Sequence, residues 1–204
     1  MMGRGMPMNV NEFVIRPLLM NLSVISLFLV PMITMRLYAE EKRTGTIELL
    51  LTSPVRELEL IFGKLLAAFV LYSGLLALAL ANLALLFLFG EADWKPMAAG
   101  FLGVSLMGAA FLSLGMLLST VTRNQIVAGA LTFGLFLMLW VADWVGAYST
   151  STAGQVMSYI SLTPHLENFA KGVIELRDVV YYVSVIFLGV FLTHRSLESL
   201  RWRS

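Results

Sequence analysis

The chain has no cysteine among its 204 residues, only two histidines, and a charged fraction of just 13%. Without cysteine there are no disulfides, thiolate metal sites or cysteine nucleophiles, and the redox compartment is left open. His165 and His194 lie far apart in sequence, and no metal centre is expected from them. The charged fraction is about half that of an average soluble domain. A net charge of +1 offers no bulk attraction for nucleic acid. A phosphate-binding G-x-x-x-x-G-K-[ST] loop is missing as well. The single Gly-Lys pair, Gly63-Lys64, is followed by Leu65 and has Leu58 where the first glycine is required. Serine and threonine are plentiful, but no base is placed to activate one, so nucleophilic catalysis has no support.

What the chain does have is apolar length. Mean hydropathy is +0.82 and 58% of residues are hydrophobic. The charges cluster between apolar runs, as a bilayer requires. Five segments are predicted to span a membrane as helices: residues 17–37, 60–89, 96–120, 126–145 and 178–193. The first four reach the length of about 20 residues that a bilayer demands, and the fifth is near the short limit. Trp94, Trp140 and Trp144 sit near span ends, where aromatic belts form. Gly100, Gly103, Gly108 and Gly115 recur in the third span, with Gly129 and Gly134 in the fourth. Small residues of this kind let helix backbones approach closely in lipid. No repeat or low-complexity linker interrupts the chain, so residues 1–204 read as one all-α transmembrane domain.

Positive charge orients it. With the loop at 38–59 inside, that side carries Arg36, Lys42, Arg43, Arg56, Lys64, Arg123, Arg195, Arg201 and Arg203. The other side carries Arg4, Arg16, Lys95, Lys171 and Arg177. The bias places the C-terminus in the cytoplasm and the N-terminus outside. Residues 1–16 lack the apolar core of a signal sequence, and Met1, Met2, Met6 and Met8 crowd the start. Either this short tail is translocated, or a helix preceding the first span is absent from this chain, and the second is the favoured expectation.

The insert between the first two spans is the most distinctive stretch. Thr44-Gly45-Thr46 breaks the incoming helix and supplies capping candidates for a new one. Ile47, Leu50 and Leu51 fall at i, i+3 and i+4 on one stripe, with Glu48 in the favourable first turn. Pro54 stops that helix, and Ser53-Pro54 reads as N-cap and N1 of the next. The result is a helix of about two turns across the membrane face. It could serve as a docking element, or simply dip its leucines into the headgroups.

Glu40-Glu41-Lys42-Arg43-Thr44-Gly45-Thr46-Ile47-Glu48-Leu49-Leu50-Leu51-Thr52-Ser53-Pro54 resembles the coupling-helix signature of ABC-2 type transporter permeases, in particular the gliding-motility-type permeases. The stretch from Leu162 to Tyr182, with Pro164, His165, Glu167, Phe169, Gly172 and Asp178, is similar to the extracellular hairpin and last-span start of that family. So is the ending from Leu197 to Arg203. The likeness extends over nearly the whole chain, although the family usually has six spans and a cytoplasmic N-terminus. It implies a bacterial cytoplasmic-membrane exporter in which a separate ABC ATPase subunit binds ATP, so no cofactor is held here. A second permease copy or homologue completes the assembly within membrane lipid. Glu40, Glu41 and Glu48 would make charge contacts to the ATPase, and Ile47, Leu50 and Leu51 would fill its groove. Gly45, Thr46 and Pro54 would shape the helix ends. The segment 146–177 would close the outer end, with Pro164, His165, Glu167 and Phe169 as gate candidates. The alternative is a non-transporting membrane scaffold or a truncated permease.

The remaining polar residues have plainer readings. Asn82 suits an interhelical hydrogen bond, and Asp143 a membrane boundary. Arg201, Trp202 and Arg203 suit an interfacial anchor. His165 and Glu167 are expected on the polar face of a short outer helix, with helices at 155–162 and 166–176.

Overall fold

The computed structural model describes residues 11–52, 54–89, 94–148 and 152–201. The side chains of Leu51, Asn82, Asp143, Trp144 and Arg201, and all of Ser53, Trp202 and Arg203, lie outside the described residues. Among the described residues the elements are helical: α1 (Arg16–Thr34), α2 (Ala39–Thr44), α3 (Ile47–Thr52), α4 (Glu57–Phe89), α5 (Trp94–Val121), α6 (Gln125–Tyr148), α7 (Thr152–Ile160), α8 (Thr163–Ala170) and α9 (Leu176–Arg201). A π-helical turn, Asn11–Ile15, leads into α1. Among the described residues five helices are long and apolar enough to cross a membrane, as the sequence predicts.

The fifth of them is longer than expected. It continues past Thr193 because Leu197 is fully buried and Leu200 packs beside it, while Arg195 and Glu198 pair on the outer side at 2.8 Å. An amphipathic continuation of this kind is not apolar enough to register as a span, yet it has a core to cover.

The bundle is built around α5, whose glycines face its neighbours. A Cβ at Gly108 would lie 2.1 Å from the Tyr72 ring of α4, and one at Gly103 would lie 2.5 Å from Phe169 of α8. Gly100 and Gly115 are pressed in the same way by Leu19 and Thr34 of α1. These contacts bear out the expected small-residue packing. Gly134 differs, since a Cβ there would meet nothing within 4 Å. On α6 the contact is aromatic instead: Phe136 stacks on Phe111 at 4.0 Å and Phe133 lies 5.2 Å from Phe28.

Two cores result. The larger one holds Leu19, Val30, Tyr72, Met107, Leu112, Phe136, Phe169 and Tyr182 along the middle and far end of the bundle. A smaller one at the loop end holds Tyr38, Ile61, Met116, Val190 and Leu197.

At the far end α8 stops earlier than predicted. Gly172 N–H donates to Phe169 O and Val173 N–H to Asn168 O, both at 2.9 Å, with Gly172 at φ 83°. This is the paired C-terminal closure in which a left-handed glycine ends a helix. Its Cβ would also meet the Pro96 backbone at 3.0 Å. Gly172→Ala is therefore expected to cost about 1–2 kcal/mol from the left-handed backbone alone, measurable as a lowered Tm in detergent.

Candidate functional site

The insert is a braced structure rather than a free loop. Pro31 lies within α1, and the helix gives way to a turn after Thr34. The backbone N–H groups of Tyr38 and Ala39, freed by that turn, both donate to Ser119 Oγ at 3.0 Å, and Ser119 donates in turn to Met35 O at 3.3 Å. One serine on α5 thus satisfies the break and fixes where α2 starts. Lys42 donates to Thr120 O at the C-terminal end of α5, where a cation is favoured. Lys64 of α4 pairs with Glu41, donates to Leu37 O, and lies 4.4 Å from the centre of the Tyr38 ring. Through these contacts α2 is tied to both α4 and α5.

From that base α3 projects. Gly45 ends α2 at φ 75°, the left-handed turn that glycine accommodates. Thr46 O accepts from Leu50 N–H at 3.2 Å, and the Thr46 hydroxyl lies 2.9 Å from that of Thr44. Ile47 is partly buried against the loop-end core, so it holds α3 to the molecule and does not face outward. Leu50 is half-buried, whereas Glu48 is exposed and Leu49 is 73% exposed. Among the described side chains of α3, Leu49, outside the i, i+3, i+4 stripe, is the most exposed apolar one. Of the expected stripe, Ile47 meets the protein's own core, Leu50 is half-buried and the side chain of Leu51 lies outside the described residues. Glu41 likewise turns inward to Lys64, leaving Glu40, half-buried, and Glu48 nearer the surface.

Pro54 does not begin the next helix. It lies in an exposed bend, and α4 starts at Glu57. Glu59 Oε2 accepts the Arg56 N–H at 3.1 Å, and Arg56 O accepts from Leu60 N–H at 3.1 Å. A glutamate reaching back from the third helical position supplies the cap expected of Ser53-Pro54.

The gate candidates at the far end separate. Glu167 is a surface residue, 3.7 Å from Arg16 and 3.4 Å from Lys171. Pro164 is half-buried in the first turn of α8, where a missing N–H is harmless, and Phe169 is fully buried against α5. His165 is not on the polar face as expected: it is 4% exposed, in a polar cluster with Asp178, Asn168 and Tyr181. Burial is affordable there because each polar atom finds a partner. Asp178, read as the start of a span, is itself buried and was not singled out as a site residue. Among the described residues no three His, Asp or Glu side chains converge as metal ligands.

The family profile described as ABC-2 family transporter protein matches residues 7–193. No curated protein and no solved structure matches the chain. The match extends over nearly all the described helices, including the projecting α3 and the far-end cluster. The chain therefore belongs to the ABC-2 family of transporter proteins, as a multi-pass membrane component of an ABC transporter that is not itself catalytic.

Proposed function

We propose that this permease is driven by a separate ATPase subunit that docks on α3, and that it exports its substrate. The observation that carries the reading is the braced projection: Glu48 and Leu49 stand outward on a short helix whose base is tied to α4 and α5. A push on α3 reaches two spanning helices directly, because packed elements transmit displacement with little compression. Leu51 extends the same docking helix, Gly45 and Pro54 set its ends, and Glu40 adds charge at its base. The positive-residue bias puts this end in the cytoplasm, as an ATP-consuming partner requires. The membrane is accordingly a bacterial cytoplasmic membrane, and two permease chains with two ATPase subunits form the working assembly. Within the family, the loop residues from Glu40 to Pro54 favour the gliding-motility-type branch. Pro164, His165, Glu167 and Phe169 belong to the outer closure, in which Phe169 anchors α8 on Gly103.

The test is a mild-detergent pull-down of the tagged chain from native membranes, with partners identified by mass spectrometry. An ABC ATPase at comparable abundance is expected. The double substitution Glu48→Lys, Leu49→Asp should reduce its recovery at least about tenfold, the equivalent of roughly 1.4 kcal/mol, while leaving the helical spectrum unchanged. Full recovery with that variant would remove α3 as the docking element.

A further inference from the structure

The far end of the bundle carries a polar cavity of about 230 Å³ between α7, α8 and the start of α9. Its inner wall is already satisfied. His165 Nδ1 lies 2.7 Å from Asp178 Oδ1 and Nε2 lies 3.1 Å from Tyr159 O, while the Asn168 amide donates to Asp178 Oδ2 at 2.9 Å. Those polar atoms are spent on one another. The mouth is different. Glu175 and Arg177 both line it and both are exposed, and among the described residues neither side chain has a hydrogen bond or an ion pair. Opposite charges on one rim attract, yet these two form no salt bridge. The Arg177 guanidinium lies instead 4.9 Å from the centre of the Tyr159 ring.

Around that mouth the surface is apolar. Val173, Ile174 and Leu176 on the way into α9 are exposed, as are Val156 and Ile160 of α7. A cluster of exposed apolar side chains rimming a charged cavity suits a lipid boundary better than open water. The candidate span of α9 begins at Leu176. Trp94, exposed at the start of α5, marks the same level as an interfacial aromatic. The two are neighbours in the fold, since a Cβ on Gly172 would meet Pro96 at 3.0 Å. The cavity therefore lies at headgroup depth, with its apolar rim where acyl chains begin.

We propose that this cavity binds the headgroup of a phospholipid that carries both a phosphate and a primary ammonium, as phosphatidylethanolamine does. Arg177 takes the phosphate through charge-assisted hydrogen bonds, and the Tyr159 ring holds the guanidinium in place. Glu175 takes the ammonium, whose hydrogens a carboxylate accepts. The volume is below the roughly 300–1,000 Å³ of a pocket that encloses a drug-sized ligand. It suits a headgroup whose tails stay outside, along Val156, Ile160 and Leu176. An anionic headgroup without the ammonium would leave Glu175 unmatched. A quaternary ammonium has no hydrogen to donate to it, and a free zwitterion would leave the apolar rim uncovered.

Native mass spectrometry of the full-length chain, released from nanodiscs of equal parts phosphatidylethanolamine, phosphatidylcholine and phosphatidylglycerol, tests this. The chain should retain phosphatidylethanolamine in preference to the other two. Arg177→Gln and Glu175→Gln should each reduce that retention about tenfold, the loss of one charge-assisted contact. Both residues are exposed, so the variants should fold with an unchanged helical spectrum. Lys171→Gln removes a surface cation at the same end that pairs with Glu167 outside the cavity, and should leave retention unchanged. Retention of the three lipids in the proportion supplied would overturn the proposal, as would equal retention in the wild type and both cavity variants, or an equal loss with Lys171→Gln. A second measurement separates lipid from free headgroup. In nanodiscs of phosphatidylglycerol alone, added phosphatidylethanolamine should raise the Tm of the wild type and not of Arg177→Gln, because a ligand stabilises the state that binds it. Soluble phosphoethanolamine should leave both unchanged, and a rise equal to that given by the lipid would assign the cavity to a free zwitterion and overturn the lipid reading. Neither measurement involves an ATPase, so failure here leaves the docking role of α3 untouched.

Discussion

Lys64→Met is expected to release the insert from the bundle and to uncouple ATP hydrolysis from transport. The substitution removes the partner of Glu41, a hydrogen bond to Leu37 O and the cation over the Tyr38 ring at one stroke. Glu41 is poorly placed to lose its partner, because its other carboxylate oxygen is buried without a hydrogen bond, as is the Tyr38 hydroxyl. Breaking a fully buried ion pair from one side costs about 3–5 kcal/mol. The two side chains here are 18% and 23% exposed, so water screens part of that, and a loss of about 2–3 kcal/mol is expected. The companion Glu41→Gln, Lys64→Met should recover most of the stability, since a neutral amide tolerates the site. It should not recover coupling, because the tie between α2 and α4 is still missing. The check is a paired measurement in reconstituted vesicles: Tm of each variant, and substrate moved per ATP consumed. Equal coupling in wild type and double variant would show that the motion of α3 reaches the spans by another route, through Ser119 and Thr120 on α5.

The second large effect concerns packing. Gly108→Leu should abolish the folded state or lower its stability by about 3 kcal/mol or more, at the upper end of overpacking costs. The Tyr72 ring occupies the space that the new side chain needs. Its hydroxyl cannot move freely, since it lies 2.8 Å from Ser26 Oγ and donates to Val104 O at 3.3 Å. Displacing the ring would strand those polar atoms in an apolar interior. Tyr72→Ala should rescue part of the loss by vacating the space. Gly134→Ala is the control: with nothing within 4 Å of the added carbon, it should be neutral or gain up to about 1 kcal/mol through helix propensity. Folded yield by size-exclusion chromatography separates the three variants. Comparable yields for Gly108→Leu and Gly134→Ala would mean that α4 does not pack on α5 at this point.

Much of the architecture could be read without coordinates, for an elementary reason. A spanning helix satisfies its own backbone, so apolar length alone marks it. Helix breaks were equally legible where a residue's own backbone preference decides them, as at Gly45. The cap of α4 was not, because it comes from Glu59 reaching back three residues, and a side chain's reach is hidden in a linear pattern. The true end of α8 at Gly172 and the extension of α9 to Arg201 were missed for related reasons: one depends on a closure with Asn168 and Phe169, the other on a core for Leu197 to enter.

The site divides along the same line. The projecting helix, its approximate length and its charged flank follow from residues 40–54 alone, since spacing, glycine and proline act locally. Which side of that helix faces outward does not follow, because Ile47 and Leu49 are equally apolar and only the neighbouring core distinguishes them. The clamp of Glu41 by Lys64 joins residues 23 positions apart, and the His165–Asp178 pair joins residues 13 apart. Hydrophobic length, which acts along the chain, determined the five candidate membrane spans among the described residues. Polar pairing acts across the chain, through directed contacts of about 3 Å, and only the packed structure decided which charges meet.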